Sequence, residues 1–496
     1  MKKLSLLFFC LFMMFTSCAS GKGSTGPAKQ EEGQTQDWES SNFITYKNDG
    51  LIKNAADPFV LKDDDGTYYL YHTGKGFKVY TSSDLVNWVS LGNAMPDDGY
   101  KWAKSHFWAP EVVKYNGKYY LHYTGQGADG VKRIGIARSD NPAGPFRDVS
   151  DNALFGTPPK SVIDSHIFFD DDGKIYLYYS NAMSTNQVGN QRYSEIWVVE
   201  LNPDLYGIAG TPKKLTQPEQ DWEYSDKAGD YWNEGAVILK RDELYYLMYS
   251  ANCFCRSDYS VGYATSESPL GPFVKYENNP VLSNETVPDK VSGPGHHTVT
   301  TSPDNSELII VYHSHMDIQA QGGQRMMNID RMGFRKDGSV YINGPTTTKQ
   351  LLPSSENLSY ANIEGSATVS CNTTQDGFET RVLTDGEFTM YERFADYEWV
   401  ADGSSAEISF EWSSDQRFKE IWVYNSILES RRAYSGKIVF NDGTETTDIE
   451  MQFEPGKATI IKLKDAVESD GFQLNINGNE YNDETGLSEV KVLSSE

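Results

Sequence analysis

The stretch SVIDSHIFFDDDGKIYLYYS, residues 161–180, places a carboxyl group, Asp164, directly ahead of an apolar run that reads as a buried strand. An isolated charge is costly to bury, so its position calls for a reason. The second half of the stretch recurs along the chain. Similar aromatic-rich runs begin at five points, 51 to 70 residues apart: YYLYHTG at Tyr68, YYLHYTG at Tyr119, IYLYYSN at Ile175, YYLMYSA at Tyr245 and LIIVYHS at Leu308. Such recurrence is typical of a repeat architecture.

Each of these runs belongs to a larger unit of antiparallel strands. A second apolar strand and a polar turn precede the run, as in FVLKDDDGTYYLY and EVVKYNGKYYLHY. Asp-Gly and Asn-Gly between two such strands favour a tight hairpin. A third strand follows in most units, and no helical periodicity is present. Five units of three or four strands predict an all-β fold, a five-bladed β-propeller.

Counting back eleven residues from each run gives one residue per blade: Asp57, Trp108, Asp164, Glu234 and His297. Equivalent points of the first strands of a propeller lie at its central channel, so we expect these side chains to surround one mouth of it. A single Asp at the start of a strand is most often a turn residue. Three carboxyl groups in one register are hard to explain as turns.

Three neighbouring carboxyl groups restrict the chemistry. They cannot all stay ionised at low cost, so one is driven towards its protonated form while another remains a base. Cleavage of a glycosidic bond requires such an acid and such a base, and no cofactor. Calcium binding is the competing use, but calcium sites usually draw their carboxylates from one loop, and these residues are far apart in sequence. A structural calcium ion elsewhere in the channel stays open.

The blade motifs resemble glycoside hydrolase family 43, whose members are inverting five-bladed propeller enzymes. The resemblance covers residues 45–345 and rests on five motifs in order: AADPFVLKDDDGTYYLYHTG, HFWAPEVVKYNGKYYLHYTG, VIDSHIFFDDDGKIYLYYS, NEGAVILKRDELYYLMYSA and GPGHHTVT. It implies that Asp57 is the general base, Asp164 an orienting residue that modulates the pKa of the acid, and Glu234 the general acid.

The same resemblance implies three substrate-binding residues. Trp108 of the WAPEV motif corresponds to the wall of the subsite for the terminal sugar. The GPGH motif points to His296, one residue from the register count, and we follow the motif here. Arg325, in the last blade, is expected to reach the floor of the site. The alternatives are a packed core aromatic, a core histidine and a surface cation, respectively.

The sugar is the least determined feature. Family members cleave α-L-arabinofuranosides or β-D-xylosides, and a minority that acts on galactan lacks the aspartate base, which this chain keeps as Asp57. Long insertions such as SNAMSTNQVGNQRYSE favour a channel closed at one end. We therefore expect an α-L-arabinofuranosidase that acts from the non-reducing end, with β-D-xylosidase as the alternative. A non-catalytic glycan-binding propeller would be expected to lack one of the three carboxyls, and a retaining fructan hydrolase would need an RDP motif, which is absent.

The C-terminal region differs from the repeats. A Pro/Thr/Ser-rich stretch follows the last blade, and short alternating strands with turn signals follow that. These features predict a propeller at 44–345, a linker at 346–359 and a β-sandwich (jelly-roll) domain at 360–496. The segments LTDGEF and GLSEVKVLSSE resemble a discoidin-type or galactose-binding-like domain, which would either bind sugar or support the propeller.

The N-terminus reads as a lipoprotein signal peptide, residues 1–17, in which Lys2 and Lys3 precede an apolar run and the sequence TSCAS. Cleavage would leave Cys18 for lipidation, followed by a flexible tether, residues 18–43, which predicts a cell-envelope lipoprotein, on the outer membrane, that touches the membrane only through its anchor. A formal net charge of −26 argues against nucleic acid as a partner and is compatible with a neutral carbohydrate. Cys253, Cys255 and Cys371 do not suggest a disulfide framework, and we assign the first two a structural role. The oligomeric state is left open.

Overall fold

The computed structural model describes residues 41, 43–155, 161–225, 230–319, 322–478 and 483–495. The predicted signal peptide, Cys18 and nearly all of the tether lie outside these residues. As predicted, the described chain is almost entirely β. Its helical turns are short and of the 3-10 type: Asp97–Gly99, Met183–Thr185, Asp221–Glu223, Glu364–Ser366, Thr380–Thr384, Glu392–Tyr397 and Glu429–Arg431.

Five antiparallel sheets form the blades of the propeller, each with its strands in chain order from the inside outwards in blades 1 to 4. Blade 1 consists of Phe59–Lys62, Tyr68–Tyr71, Lys78–Ser82 and Val89–Asn93. Blade 2 consists of Ser105–Tyr115, Lys118–Gln126, Lys132–Ser139 and Arg147–Asp148. Blade 3 consists of Val162–Phe169, Ile175–Asn181, Glu195–Leu201 and Lys213–Thr216. Blade 4 consists of Asn233–Arg241, Leu244–Ala251, Ser260–Ser266 and Val274–Lys275.

Blade 5 is completed by a strand from the other end of the domain. Its own strands are Gly295–Thr301, Leu308–His315, Arg325–Phe334 and Val340–Ile342, and Ile52–Lys53 pairs with Arg325–Phe334. A second closure joins Thr45–Tyr46 to Gln350–Leu351, which lies in the segment predicted as a linker. The innermost strand of each blade contacts those of both neighbours, so the five strands close into a ring. Aromatic and branched residues of the inner strands pack between successive blades.

Insertions in blades 3 and 4 form a small additional sheet. Its strands are Gln187–Val188, Gln191–Tyr193, Tyr224–Ser225 and Asp230–Tyr231. The first two follow the second strand of blade 3, and the last two precede Glu234 in the chain. The insertion therefore lies at the channel end where the innermost strands begin.

The C-terminal domain is one eight-stranded sheet that folds over an apolar core of its own. Its strands are Ala361–Asn362, Thr368–Cys371, Trp399–Asp402, Ser405–Asn425, Ser435–Phe440, Ile449–Glu450, Thr459–Asn477 and Glu484–Ser494. The register of the longest strand is interrupted between Glu411 and Gln416, and Phe410 before the break and Ile421 after it face the same apolar core. This arrangement agrees with the predicted sandwich, while the finer likeness to discoidin stays a prediction.

The propeller and the C-terminal domain share a hydrophobic core. Tyr391 and Phe394 of the C-terminal domain pack with Tyr263 and Tyr312 of blades 4 and 5. The Tyr391 hydroxyl donates to the carbonyl of Gly344 at 2.8 Å. A buried ion pair between Arg335 and Glu387 also joins the two parts. The two domains are therefore packed against each other through apolar and charged contacts.

One covalent contact differs from the sequence interpretation. Cys253 and Cys255 are joined by a disulfide, whereas the cysteine pattern had not indicated any bond. A bridge between residues two apart escapes framework reasoning, which looks for pairs that close longer loops. Cys371 is a free thiol. No helix among the described residues is long and apolar enough to cross a membrane.

Candidate active site

A β-bulge near the start of the innermost strand determines where the channel side chains point. In blades 2 to 5 the strand register shifts there, and the first bulge residue has a positive φ. In blade 1 the equivalent residue lies just before the strand. The five residues, with their φ angles, are Asp57 (52°), Ala109 (41°), Asp164 (54°), Gly235 (61°) and His296 (47°). Bulges redirect side chains, and left-handed backbone at non-glycine residues is unfavourable and clusters at functional sites.

The bulge position corrects the register predicted from eleven-residue counting. Asp57 and Asp164 do occupy it, but Trp108 and Glu234 lie one residue before it and His297 one residue after it. The first residue of each aromatic-rich run pairs with a residue of the innermost strand. In every blade that paired residue lies five positions after the bulge residue. The number of residues between the two paired residues varies: four in blades 2 and 4, five in blades 1 and 3, and six in blade 5. Variable turn length therefore caused the misalignment.

The bulges are held by a repeated hydrogen bond that sequence reasoning missed. The sixth residue of each aromatic-rich run is Thr73, Thr124, Ser180, Ser250 or His313. In four cases its side chain accepts the backbone N–H of the bulge residue in the next blade. These bonds join Ala109 to Thr73 (2.8 Å), Asp164 to Thr124 (3.0 Å), His296 to Ser250 (2.8 Å) and Asp57 to His313 (3.1 Å). A recurrent hydroxyl at the sixth position was the available signal.

Asp57 is buried among positive and neutral donors. Arg325 donates a 2.8 Å hydrogen bond from Nη1 to its Oδ1, and Thr73 donates a short one to its Oδ2. Nδ1 of His296 and Nδ1 of His313 lie 3.6 and 3.4 Å from Oδ1. Burial alone would raise the pKa of Asp57, but the Arg325 charge, the two histidines and the Thr73 hydrogen bond outweigh it and hold that pKa well below its usual value. Asp57 is therefore ionised at neutral pH.

Glu234 has the opposite environment. It is buried, and its Oε1 accepts a 3.0 Å hydrogen bond from the hydroxyl of Tyr259. Burial raises the pKa of Glu234 to about 7, and the charge of Asp57 adds to the shift, while Tyr259 and Arg325 oppose it. Glu234 therefore carries a proton for much of the time near neutral pH.

Asp164 lies close enough to both groups to interact with them. Burial raises the pKa of Asp164 well above its usual value, and the charges of Glu234, Asp57 and Glu111 raise it further. An ionised carboxylate and two carboxyls with raised pKa values thus lie close enough to influence one another. This combination supplies a base and an acid at the same pH.

The three predicted binding residues differ in their contacts. His296 and Arg325 both approach Asp57 directly. Trp108 is partly exposed, with Lys132 Nζ 5.1 Å from the centre of its ring and the His106 ring packed edge-on at 4.7 Å. His297 is buried, and neither of its ring nitrogens has a partner among the described residues. Tyr259, which contacts Glu234, was not anticipated, because nothing in its local sequence marks it.

Metal binding is the other use that the sequence suggested for the carboxyl groups. Within the described ranges no group of three or more His, Cys, Asp or Glu side chains is arranged to hold a metal ion. The calcium ion considered from the sequence stays a prediction.

Comparison with known proteins gives two family matches. The family "Glycosyl hydrolases family 43" matches residues 46–340, and a domain of unknown function, DUF7402, matches residues 362–493. A thermostable family-43 glycoside hydrolase of known structure is 44% identical, with a TM-score of 0.60, over 63% of this chain and all of that one. The crystal structure of an α-L-arabinofuranosidase from Lactobacillus brevis is 25% identical, with a TM-score of 0.51, over 61% of this chain and 98% of that one.

Two curated relatives extend the comparison. A β-D-galactofuranosidase from Aspergillus niger is 30% identical over 53% of this chain and 73% of its own length. An arabinoxylan arabinofuranohydrolase from Paenibacillus polymyxa is 28% identical over 58% of this chain, and this match spans only 50% of that relative. The matched region contains all five blades and the three carboxyls of the channel. This chain is a glycoside hydrolase, and it belongs to family 43 of the glycosyl hydrolases.

Proposed function

We propose that this chain is an inverting α-L-arabinofuranosidase that removes terminal arabinofuranosyl groups from polysaccharides or oligosaccharides. The observation that carries the proposal is the contrast between Asp57, ionised beside Arg325, and Glu234, whose pKa is raised to about 7. In this mechanism Asp57 takes a proton from water as the water attacks the anomeric carbon. Glu234 donates its proton to the leaving oxygen, and Asp164 holds the acid in its raised-pKa state.

The choice of a furanose is supported by the names of the relatives. Besides the two arabinofuranoside-cleaving relatives, the Aspergillus niger enzyme is named a galactofuranosidase. α-L-Arabinofuranosides and β-D-galactofuranosides present the same ring stereochemistry and differ in the substituent at C4. A pocket that is shaped for one ring therefore accommodates the core of the other. β-D-Xylosidase activity is the second candidate.

Action on terminal groups is supported by the small sheet beside the site. Its strand Asp230–Tyr231 leads directly into Asn233–Arg241, the strand that carries Glu234. Tyr193, Tyr224 and Tyr231 of this sheet pack ring against ring. A wall on the acid side favours a closed pocket over an open cleft that a long chain could cross.

The test is a panel of 4-nitrophenyl glycosides: the α-L-arabinofuranoside, the β-D-xyloside and the β-D-galactofuranoside. We expect the highest kcat/KM on the arabinofuranoside. Asp57→Asn should abolish the preferred activity, which excludes a contaminating enzyme. A clear preference for the xyloside would overturn the proposal in favour of the second candidate, and a preference for the galactofuranoside would keep the furanose but change the sugar.

We propose that the C-terminal domain supports the propeller and does not bind glycan itself. The shared core of Tyr391, Phe394 and the tyrosines of blades 4 and 5 supports this role. Affinity electrophoresis in arabinoxylan, with wild type and with Asp57→Asn, would test it. Retardation that persists when free arabinose occupies the catalytic pocket would point to a second binding site and contradict a purely supporting role.

We also propose that the mature protein is an envelope lipoprotein on the outer membrane, anchored through Cys18. This proposal depends on the sequence pattern of residues 1–18 alone. Expression of the full chain with radiolabelled palmitate should label the wild type and leave Cys18→Ala unlabelled. Equal labelling of both would contradict the anchor.

A further inference from the structure

The loop of residues 252–259 in blade 4 has features that the catalytic mechanism does not use. It joins Leu244–Ala251 to Ser260–Ser266 and contains the Cys253–Cys255 disulfide. Phe254, the residue between the two cysteines, is 42% exposed. The bridge therefore flanks a large aromatic side chain at the surface.

Two residues of this loop are connected to the catalytic carboxyls. Tyr259 donates to Glu234 at 3.0 Å. The guanidinium of Arg325 lies over the ring of Phe254, 4.7 Å from its centre, while its Nη1 binds Asp57. One loop therefore contacts the acid directly and the base through Arg325.

The loop is held in a fixed conformation. Besides the disulfide, Nε2 of His315 lies 2.8 Å from the carbonyl oxygen of Phe254, and Nδ1 of His315 lies 2.8 Å from the hydroxyl of Ser292. At its start, the Asn252 amide donates to the carbonyls of Trp222 and Asp258. Because these contacts already fix Phe254, a ligand that binds to its ring has little ordering cost to overcome.

We propose that Phe254 is a stacking surface for the terminal sugar of the substrate, and that the Cys253–Cys255 disulfide holds it in place. The water activated by Asp57 attacks the anomeric carbon on the side opposite the leaving group, so a ring that contacts Arg325 lies near the place of the terminal sugar. Sugars present apolar C–H faces that pack on aromatic rings, as in other largely apolar binding sites with few polar contacts. The inference rests on the hydrolase activity and adds a binding residue to the proposed function.

The proposal makes binding sensitive to reduction. Dithiothreitol would convert the disulfide to two thiols while it is itself oxidised to a cyclic disulfide. The freed loop would then lose the fixed position of Phe254. The expected effect is a higher KM with little change in kcat, since an interaction made equally in the bound substrate and the transition state affects KM alone.

The experiment compares wild type, Phe254→Ala, Phe254→Tyr and the control Tyr206→Ala, a similarly exposed aromatic in the loop between the third and fourth strands of blade 3. The substrate is the glycoside of the panel that wild type hydrolyses fastest, so a wrong assignment of the sugar leaves this test intact. Phe254→Ala should raise KM about tenfold, equivalent to about 1.4 kcal/mol, whereas Phe254→Tyr should restore it. Tyr206→Ala should match wild type. Reductant should raise the KM of wild type and leave that of Phe254→Ala unchanged.

Three outcomes would overturn the proposal. An unchanged KM in Phe254→Ala would remove the stacking role. A loss confined to oligosaccharides, with normal kinetics on the nitrophenyl glycoside, would place Phe254 beyond the scissile bond. Alkylation of both Cys253 and Cys255 by iodoacetamide without prior reduction, detected by peptide mass analysis, would show that the disulfide is not formed.

Discussion

Arg325 and Asp57, which stand 268 positions apart in the chain, are joined by a 2.8 Å hydrogen bond between Nη1 and Oδ1. Arg325 begins a strand of blade 5, and Asp57 directly precedes the first strand of blade 1. The same blade-5 strand pairs with Ile52–Lys53, which closes the ring. Closure of the propeller therefore places the cation that keeps the base ionised.

Replacement of Arg325 by Met should shift the acid limb of the kcat/KM profile to higher pH. Asp57 has a depressed pKa in the wild type, so it stays ionised as the pH falls below the ordinary Asp pKa of about 3.9. Without the guanidinium, burial raises that pKa and Asp57 is protonated at a higher pH. A pH titration of kcat/KM checks this, with Arg325→Lys as the charge-preserving control. An acid limb that stays in place in Arg325→Met would mean that Arg325 does not control the base.

Variants of the two catalytic carboxyls should differ in how their activity depends on the leaving group. Glu234→Gln removes the proton that the leaving oxygen needs, so we expect a loss of about 10²- to 10⁴-fold on arabino-oligosaccharides. The phenolate of a 2,4-dinitrophenyl glycoside leaves without protonation, so this substrate should be hydrolysed nearly normally. Asp57→Asn should lose activity on both substrates, because attack by water needs the base in either case. Equal losses in Glu234→Gln on both substrates would argue against its role as the acid.

Hydrolysis should proceed with inversion. An acid and a base on opposite sides of the sugar, about 6.5–9.5 Å apart, leave room for a water molecule. Proton NMR of the first product, recorded before mutarotation, should show the β-anomer from an α-L-arabinofuranoside. A first-formed α-anomer would indicate a covalent intermediate instead.

Replacement of Asp164 by Asn should move the alkaline limb to lower pH. Glu234 acts as an acid only while protonated, so activity is present below its pKa of about 7 and is lost as the pH rises through it. Burial is the main cause of the raised pKa values of both carboxyls; the charge of Glu234 raises the pKa of Asp164 further, and the charge of Asp57 raises that of Glu234. Because the two carboxyls interact, replacement of Asp164 by a neutral amide is expected to lower the pKa of Glu234. Circular dichroism should show an unchanged fold, and a variant with the wild-type profile would reduce Asp164 to a turn residue.

The ion pair between the domains should contribute more to the free energy of unfolding than an exposed ion pair does. Glu387→Gln leaves Arg335 buried beside a neutral partner, with an expected loss of about 3–5 kcal/mol in the free energy of unfolding. Glu445→Gln, which breaks the exposed pair with Lys437, should leave the free energy of unfolding almost unchanged. Urea denaturation of both variants gives the comparison. Similar losses in the two would mean that the Arg335–Glu387 pair contributes no more than a surface pair.

Much of the fold could be predicted because it depends on local patterns that repeat. The aromatic-rich runs, hairpin turns and regular recurrence specify strands, and five recurrences specify five blades. The closing strand Ile52–Lys53 could not be recognised in this way, because two residues have no period and their partner lies at the far end of the domain.

For the site, the sequence alone determined which residue types are available: three carboxyls and a histidine near equivalent points of a repeat, and an arginine elsewhere in the last blade. The tertiary structure decided their states. Asp57 and Asp164 share one bulge position, yet the pKa of one is lowered and that of the other is raised. The difference arises because Arg325 from the last blade reaches Asp57 directly, while Asp164 lies among other carboxyls. Charge interactions depend on distances between side chains that only the closed ring brings together, so no reading of a single repeat could separate the base from its neighbours.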